Sequence, residues 1–257
     1  MSVRIKTLLA AFLLITACAS QSNGGPAEEA RAPGPATAAA VMSVPADRWR
    51  AILVAGENNS PAFDNGVEAL QGKLATRGVR DIRALTSDPE ANPSLTVATS
   101  ENISQALRAT AGDACLVFFT SHGSESGIDL RAAKGYLSPS ALAVALDAGC
   151  GQRPTVVIAS ACHSGVFLNG DMRRPNRIIL SAAAADRVSF GCGAGDQYTY
   201  YDQCLLQSFD GASTWRQLAT TTRTCVERLE RTMGVPRASQ PQIFIGASVG
   251  DLRIPGR

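Results

Sequence analysis

The sequence predicts an α/β fold in which a mostly parallel sheet of about six strands lies between two layers of helices. Three observations predict it. From about residue 50 onward, short apolar runs alternate with amphipathic stretches. The strongest runs, 114–120 and 155–159, are continuous and rich in β-branched or aromatic residues, as strands buried on both faces are. Several of the intervening stretches carry a helix start or stop signal.

The expected strands cover 51–56, 79–85, 114–120, 155–159, 177–182 and 242–246. Between the first two, Val67, Leu70 and Leu74 share one helical face and Gly78 supplies a stop. Ile103 and Leu107 belong to a second helix opened by Ser100. Ser138 followed by Pro139 opens a third, with Leu142, Val144 and Leu146 along it. Trp215, Leu218, Thr222, Val226, Leu229 and Met233 mark a long fourth. No internal repeat and no second domain is visible.

The ends of the chain read differently. Arg4 and Lys6 precede a short apolar run that closes on Ile15-Thr16-Ala17-Cys18, the pattern of a secretory signal peptide over residues 1–17. The run is too short to span a bilayer. Cys18 after small residues resembles a bacterial lipobox, in which the Cys is lipidated and starts the mature chain. Ala19 follows where an Asp would signal inner-membrane retention, so the expected site is a lipoprotein anchored in the outer membrane and facing the periplasm. Residues 18–47, rich in Ala, Pro, Gly and Ser, cannot bury enough apolar surface to order themselves and read as a flexible tether. The folded domain is expected over 48–257. A net charge of +2 without a Lys/Arg cluster argues against a nucleic-acid partner.

Seven cysteines stand at 18, 115, 150, 162, 192, 204 and 225. A secreted chain permits disulfides. Cys115 starts one strand and Cys150 shortly precedes the next, which places both at the amino-terminal edge of the sheet. A 115–150 disulfide and a buried free Cys115 are both open readings. Cys192, Cys204 and Cys225 leave room for one further bridge, with Cys225 read by default as a core residue. Neither a C-x-x-C pair nor a spare His supports a metal site, and no cofactor is implied.

Ligands bind beyond the carboxyl ends of the strands in open parallel sheets. There the strand at 114 ends in Thr120-Ser121-His122-Gly123, and the strand at 155 ends in Ser160-Ala161-Cys162-His163-Ser164-Gly165. If the strands are neighbours, His122 and Cys162 face one cleft. A thiol nucleophile needs a base to ionise it and an acid for the leaving group, and imidazole serves as both near neutral pH. His163, adjacent to Cys162, should point away from it, so His122 is the expected partner. The backbone N–H groups of Gly123 and Cys162 are the expected oxyanion donors.

These blocks resemble the two signature blocks of the legumain-type cysteine peptidases, which share the caspase-like three-layer αβα fold. Residues 182–192 and Val54-Ala55-Gly56 are similar to further blocks of that family. The resemblance implies a cysteine endopeptidase that acts on polypeptides through a thioester acyl-enzyme. It maps the catalytic His and Cys onto His122 and Cys162 and the oxyanion glycine onto Gly123. It maps the pocket that holds the residue before the scissile bond (P1) onto Asp64, Asn65, Ser160, Ser189 and Asp202. Asp64 and Asn65 stand where the family has an Arg-His pair, and Ser160 where it has a carboxylate, so asparaginyl specificity is not implied. Asp64 and Asp202 together, without the Arg, would suit a basic P1 residue. Asn65 with Glu68 also fits a capping box, an equally weighted alternative. The family's catalytic Asn falls at Ala62, leaving Asn58, Asn59 and Asn65 as substitutes. A transpeptidase with the same dyad and a non-catalytic caspase-like binding module are the competing functions. An α/β-hydrolase is excluded by chain order, because no His follows residue 163.

Overall fold

A computed structural model describes residues 42–109 and 112–257. The predicted signal peptide, Cys18 and most of the predicted tether lie outside the described residues.

The main sheet has seven strands in the order β10-β9-β8-β4-β1-β2-β3. They are β1 (Trp49–Ala55), β2 (Asp81–Thr86), β3 (Thr96–Val97), β4 (Ala114–Thr120), β8 (Thr155–Ser160), β9 (Arg177–Ser181) and β10 (Gln242–Ile245). All neighbours run parallel except β10, which pairs antiparallel with β9 through Gln242↔Ser181. The three central strands are buried along their whole length. Their side chains alternate between two cores. Trp49, Ala51, Leu53 and Ala55 of β1 enter one, while Ile52 and Val54 enter the other. A continuous apolar run is therefore a period-two pattern with both faces covered.

Among the described residues, five α-helices cover the faces. On one side α1 (Pro61–Thr76), α4 (Tyr200–Phe209) and α5 (Trp215–Met233) contribute Phe63, Leu70, Leu205 and Leu218 to the first core. On the other, α2 (Ser100–Arg108) and α3 (Pro139–Gly149) contribute Ile103, Leu107, Leu142 and Leu146. Local chemistry sets their starts. Ser60, Thr99, Ser138, Thr199 and Thr214 each accept a bond from a backbone N–H in the first turn, and Pro stands in the first turn of α1 and α3. Gly78, at φ +92°, and Gly234, at φ +64°, follow α1 and α5, where an αL residue suits a helix end.

The sequence reading differs from this in several respects. Ser60, not Asn65, caps α1, so Asn65 sits inside the helix and forms no capping box. The cap of α2 is Thr99, one residue before Ser100. Helix α4 was not foreseen, nor was the small antiparallel sheet of β5 (Gly123–Ser124), β6 (Gly127–Leu130) and β7 (Gly135–Leu137). Packing also includes Met42 and Val44, which the sequence reading assigns to the tether. Met42 and Val44 lie on the first core, Trp49 Nε1 donates to Val44 O at 3.2 Å, and Arg253 N donates to Met42 O.

The amino-terminal edge of the sheet is densely bonded. Cys115 and Cys150 form a disulfide there, joining the start of β4 to the end of α3. Arg153 donates to the carbonyls of Cys150 (2.8 Å), Gly112 (2.7 Å) and Gly149. Buried Arg50 pairs with Asp81, and buried Arg177 with Asp147 at 2.6 Å. A second disulfide, Cys204–Cys225, ties α4 to α5. Cys225 is thus bridged rather than merely packed.

Candidate active site

The site lies at the opposite edge, where β4 and β8 end side by side. Thr120 pairs with Ser160 in register, and Ser121 N donates to Ser160 O at 3.1 Å. His122 and Cys162 each stand two residues past that last pair, so the register brings the two turns together. They touch at Gly123. A Cβ there would come within 2.4 Å of Cys162 O and 2.9 Å of Ala161 Cβ. The glycine is required by the neighbouring turn itself, a closer constraint than room for a ligand.

The small sheet shapes the His122 side. Asp129 N donates to His122 O at 3.0 Å, which makes Gly123↔Ile128 the non-hydrogen-bonded pair of the β5–β6 ladder. The Gly123 N–H is therefore left out of that ladder. Phe63 of α1 packs edge-on against the His122 ring at 5.3 Å between centroids. The carboxamide of Asn59 meets His122 Nε2, its nitrogen at 2.9 Å and its oxygen at 3.2 Å. Of the three asparagines offered by the sequence, Asn59 is the one at the imidazole. Asn65 donates instead to Gln197 O at 3.0 Å.

The Cys162 side is shaped by the segment 182–199, which follows β9. Cys162 is free and half-buried. Its sulfur accepts from Ser189 N at 3.3 Å and lies 3.7 Å from Ser189 O and Oγ. Ser189, expected in a substrate pocket, is thus a direct neighbour of the thiol. His163 adopts φ +57°. Its Nδ1 lies 2.9 Å from Ala185 O, and its N donates to Arg187 O. The ring is held in the 182–199 segment. The other free thiol among the described residues, Cys192, is half-buried, and burial first, then the nearby Cys162, pushes its pKa up.

The remaining predicted pocket residues divide into two groups. Ser160 and Asp202 meet beneath the two turns. Asp202 of α4 is fully buried, accepts from Thr120 Oγ1 at 2.6 Å, and lies against Gly66 of α1. Ser160 Oγ lies 3.3 Å from Thr199 Oγ1. Burial pushes the Asp202 carboxyl up to about 6, and the hydroxyls of Thr120, Ser160 and Thr199 hold it from rising further. Asp64 is apart from this group. It accepts from Thr86 Oγ1 at 3.1 Å at the end of β2, and burial raises its pKa. The two carboxylates do not converge on one pocket. Among the described residues no group of three or more His, Cys, Asp or Glu is placed to hold a metal ion.

This architecture is the caspase-like fold. Among solved structures the chain is similar to caspase-1 from Spodoptera frugiperda, with a TM-score of 0.58 and 15% identity over 84% of this chain and 93% of that one. No curated protein sequence matches it. The profile of the peptidase C13 family matches residues 94–231, more than half of the chain. The chain belongs to the peptidase C13 family, which places it among the cysteine peptidases.

Proposed function

We propose that the chain is an endopeptidase in which Cys162 is the nucleophile and His122 the general base and acid. The observation that carries this reading is the meeting of the two turns, with Asn59 Oδ1 accepting from Nε2–H of His122 and so leaving Nδ1 unprotonated for the thiol. Nδ1 takes the proton of Sγ, and the thiolate attacks the scissile carbonyl carbon. The oxyanion accepts from the N–H groups of Gly123 and Cys162. Collapse breaks the C–N bond, the amine leaves with the proton from Nδ1, and a thioester remains. Water, deprotonated by the imidazole, attacks the thioester; the carboxylate product leaves and the thiol is restored. The Ser189 N–H supports the thiolate before attack.

An acyloxymethylketone peptide probe tests the assignment. It should label Cys162 in the folded protein, and labelling should vanish in Cys162→Ala and fall steeply in His122→Ala. Labelling that is indifferent to His122 would end the dyad reading. The substrates are polypeptides outside the cytoplasm, reached by an enzyme tethered to the outer membrane through a lipid on Cys18. Cys18→Ser should move the protein from the membrane to the soluble fraction, and an unchanged distribution would count against the tether.

A further inference from the structure

The loop between β1 and α1 carries a group that the sequence did not single out. Glu57 follows Gly56 directly after β1, and its side chain is buried although it is charged. A carboxylate is seldom buried unless its oxygens are occupied. Here both are. Oε1 accepts from Asn58 N at 2.8 Å and Asn59 N at 3.2 Å. Oε2 pairs with Arg131 Nη1 at 3.2 Å.

Each end of this arrangement is anchored independently. Arg131 follows β6, and its own N donates to Gly56 O at 2.9 Å. Gly56 is wedged between Asp129 O and Ser121, leaving no space for a Cβ. Asn59, like Asn58, is solvent-exposed, yet its carboxamide stands at His122 Nε2. An exposed side chain in a loop keeps such a position only if its backbone is fixed, since ordering it costs conformational entropy. The Glu57 carboxylate supplies that fixation by binding the Asn59 N–H itself, and the next residue, Ser60, is fixed by capping α1.

We propose that Glu57 is a positioning residue of this active site, holding the backbone of Asn58 and Asn59 so that the Asn59 carboxamide locks the tautomer and orientation of His122. The proposal rests on the assignment of His122 and Cys162 made above. Glu57 also adds negative charge near the imidazole. Asp129 and Arg131 are the other charged groups facing this corner; burial raises the Asp129 pKa, Glu57 adds to the rise, and His122 and Arg131 oppose it. Loss of Glu57 therefore disturbs the geometry in which the imidazole is held.

The test compares Glu57→Gln, Glu57→Ala, Asn59→Ala and the double variant Glu57→Ala/Asn59→Ala in peptide hydrolysis, with pH profiles of kcat/KM. Misplacing a catalytic partner by about 1 Å costs on the order of 100-fold. Asn59→Ala and Glu57→Ala should each lower kcat by roughly 30- to 100-fold with KM little changed, and Glu57→Gln by about 10-fold. The double variant should be no worse than the poorer single one, because both act through one contact. The limb of the pH profile that reports His122 should move in the same direction in Glu57→Ala and Asn59→Ala. Multiplicative losses in the double variant, an unmoved pH profile, or full activity in Glu57→Ala would each overturn the proposal. Denaturation midpoints for every variant separate misfolding from mispositioning, and Glu57→Gln preserves size and shape if the alanine variant unfolds. Cys162→Ala serves as the reference. Activity surviving in it would sink the catalytic assignment itself, whereas its loss beside a fully active Glu57→Ala would sink only the role of Glu57.

Discussion

Strands β4 and β8 end in two different chemistries. At their amino-terminal edge, polar groups are cross-linked or bonded to one another: Cys115 to Cys150, Arg153 to three carbonyls, and Arg177 to Asp147. At their carboxyl edge, 6–7 residues away along the same strands, Cys162 is a free thiol and His122 is half-buried, held by one carboxamide. Beneath them is a carboxyl group made hard to ionise by burial. The difference teaches that one pair of strands both anchors and presents. Rigid attachment at one end lets the other end hold groups whose burial and freedom would otherwise be destabilising.

Changes at the two edges should therefore separate. The largest effect belongs to the carboxyl edge. Cys162→Ala should lower peptide hydrolysis by about 10^4-fold or more while leaving the denaturation midpoint within error. A large drop in that midpoint would show that the edges are not independent.

The converse change is Cys115→Ala/Cys150→Ala. The bridge closes a loop with a sequence separation of 35. Its removal should lower unfolding free energy by about 3–4 kcal/mol in denaturant titrations, with kcat of the surviving folded enzyme unchanged. A kcat loss exceeding the loss of folded protein would mean that strain passes along the strands.

Asp202 sharpens the contrast through pH. Its folded pKa of about 6 lies above the ordinary 3.8, so the folded state binds a proton that the unfolded state lacks between those values. Its contribution to stability is fully present below about pH 4 and is lost as pH rises through about 6. Asp202→Asn removes this term. The variant should gain about 2 kcal/mol relative to the parent between pH 4 and pH 7. A stability difference that stays flat over that range would show that Asp202 is ionised throughout.

The smallest effect is expected from Arg153→Lys. An ammonium group cannot reproduce a three-way fork to Gly112, Gly149 and Cys150. The loss should be about 1–2 kcal/mol in chemical denaturation, with hydrolysis unaffected.

The frame of this molecule was legible in the sequence where one segment determines one element. The runs at 114–120 and 155–159 are apolar apart from Thr120 and Thr155, so they form central strands at the expected places. Ser138-Pro139 starts α3 as its chemistry requires. The small sheet was not legible, because β5 has two residues and β7 three, too few for any period. Helix α4 begins with two tyrosines and buries Asp202, which obscures its amphipathic pattern. At the candidate site, His122 and Cys162 could be picked out because strand ends converge by register. Asn59 could not be separated from Asn58 and Asn65, since only the folded loop distinguishes them. Glu57 left no signal, because a single acidic residue after a strand looks like any solvated turn. Asp64 and Asp202 read alike in sequence, yet one bonds Thr86 at the end of β2 and the other lies beneath the two turns.

The Cys115–Cys150 bridge also bears on the continuity of the polypeptide. It spans the small sheet and α3, the stretch that separates His122 from Cys162. A backbone cut after His122 and before Cys150 would place the two residues on different fragments. Those fragments would stay covalently joined at the base of β4, with the strand pairing between β4 and β8 intact. A nicked protein would then migrate as one species on a non-reducing gel and as two under reduction, and it would keep His122 and Cys162 in one particle.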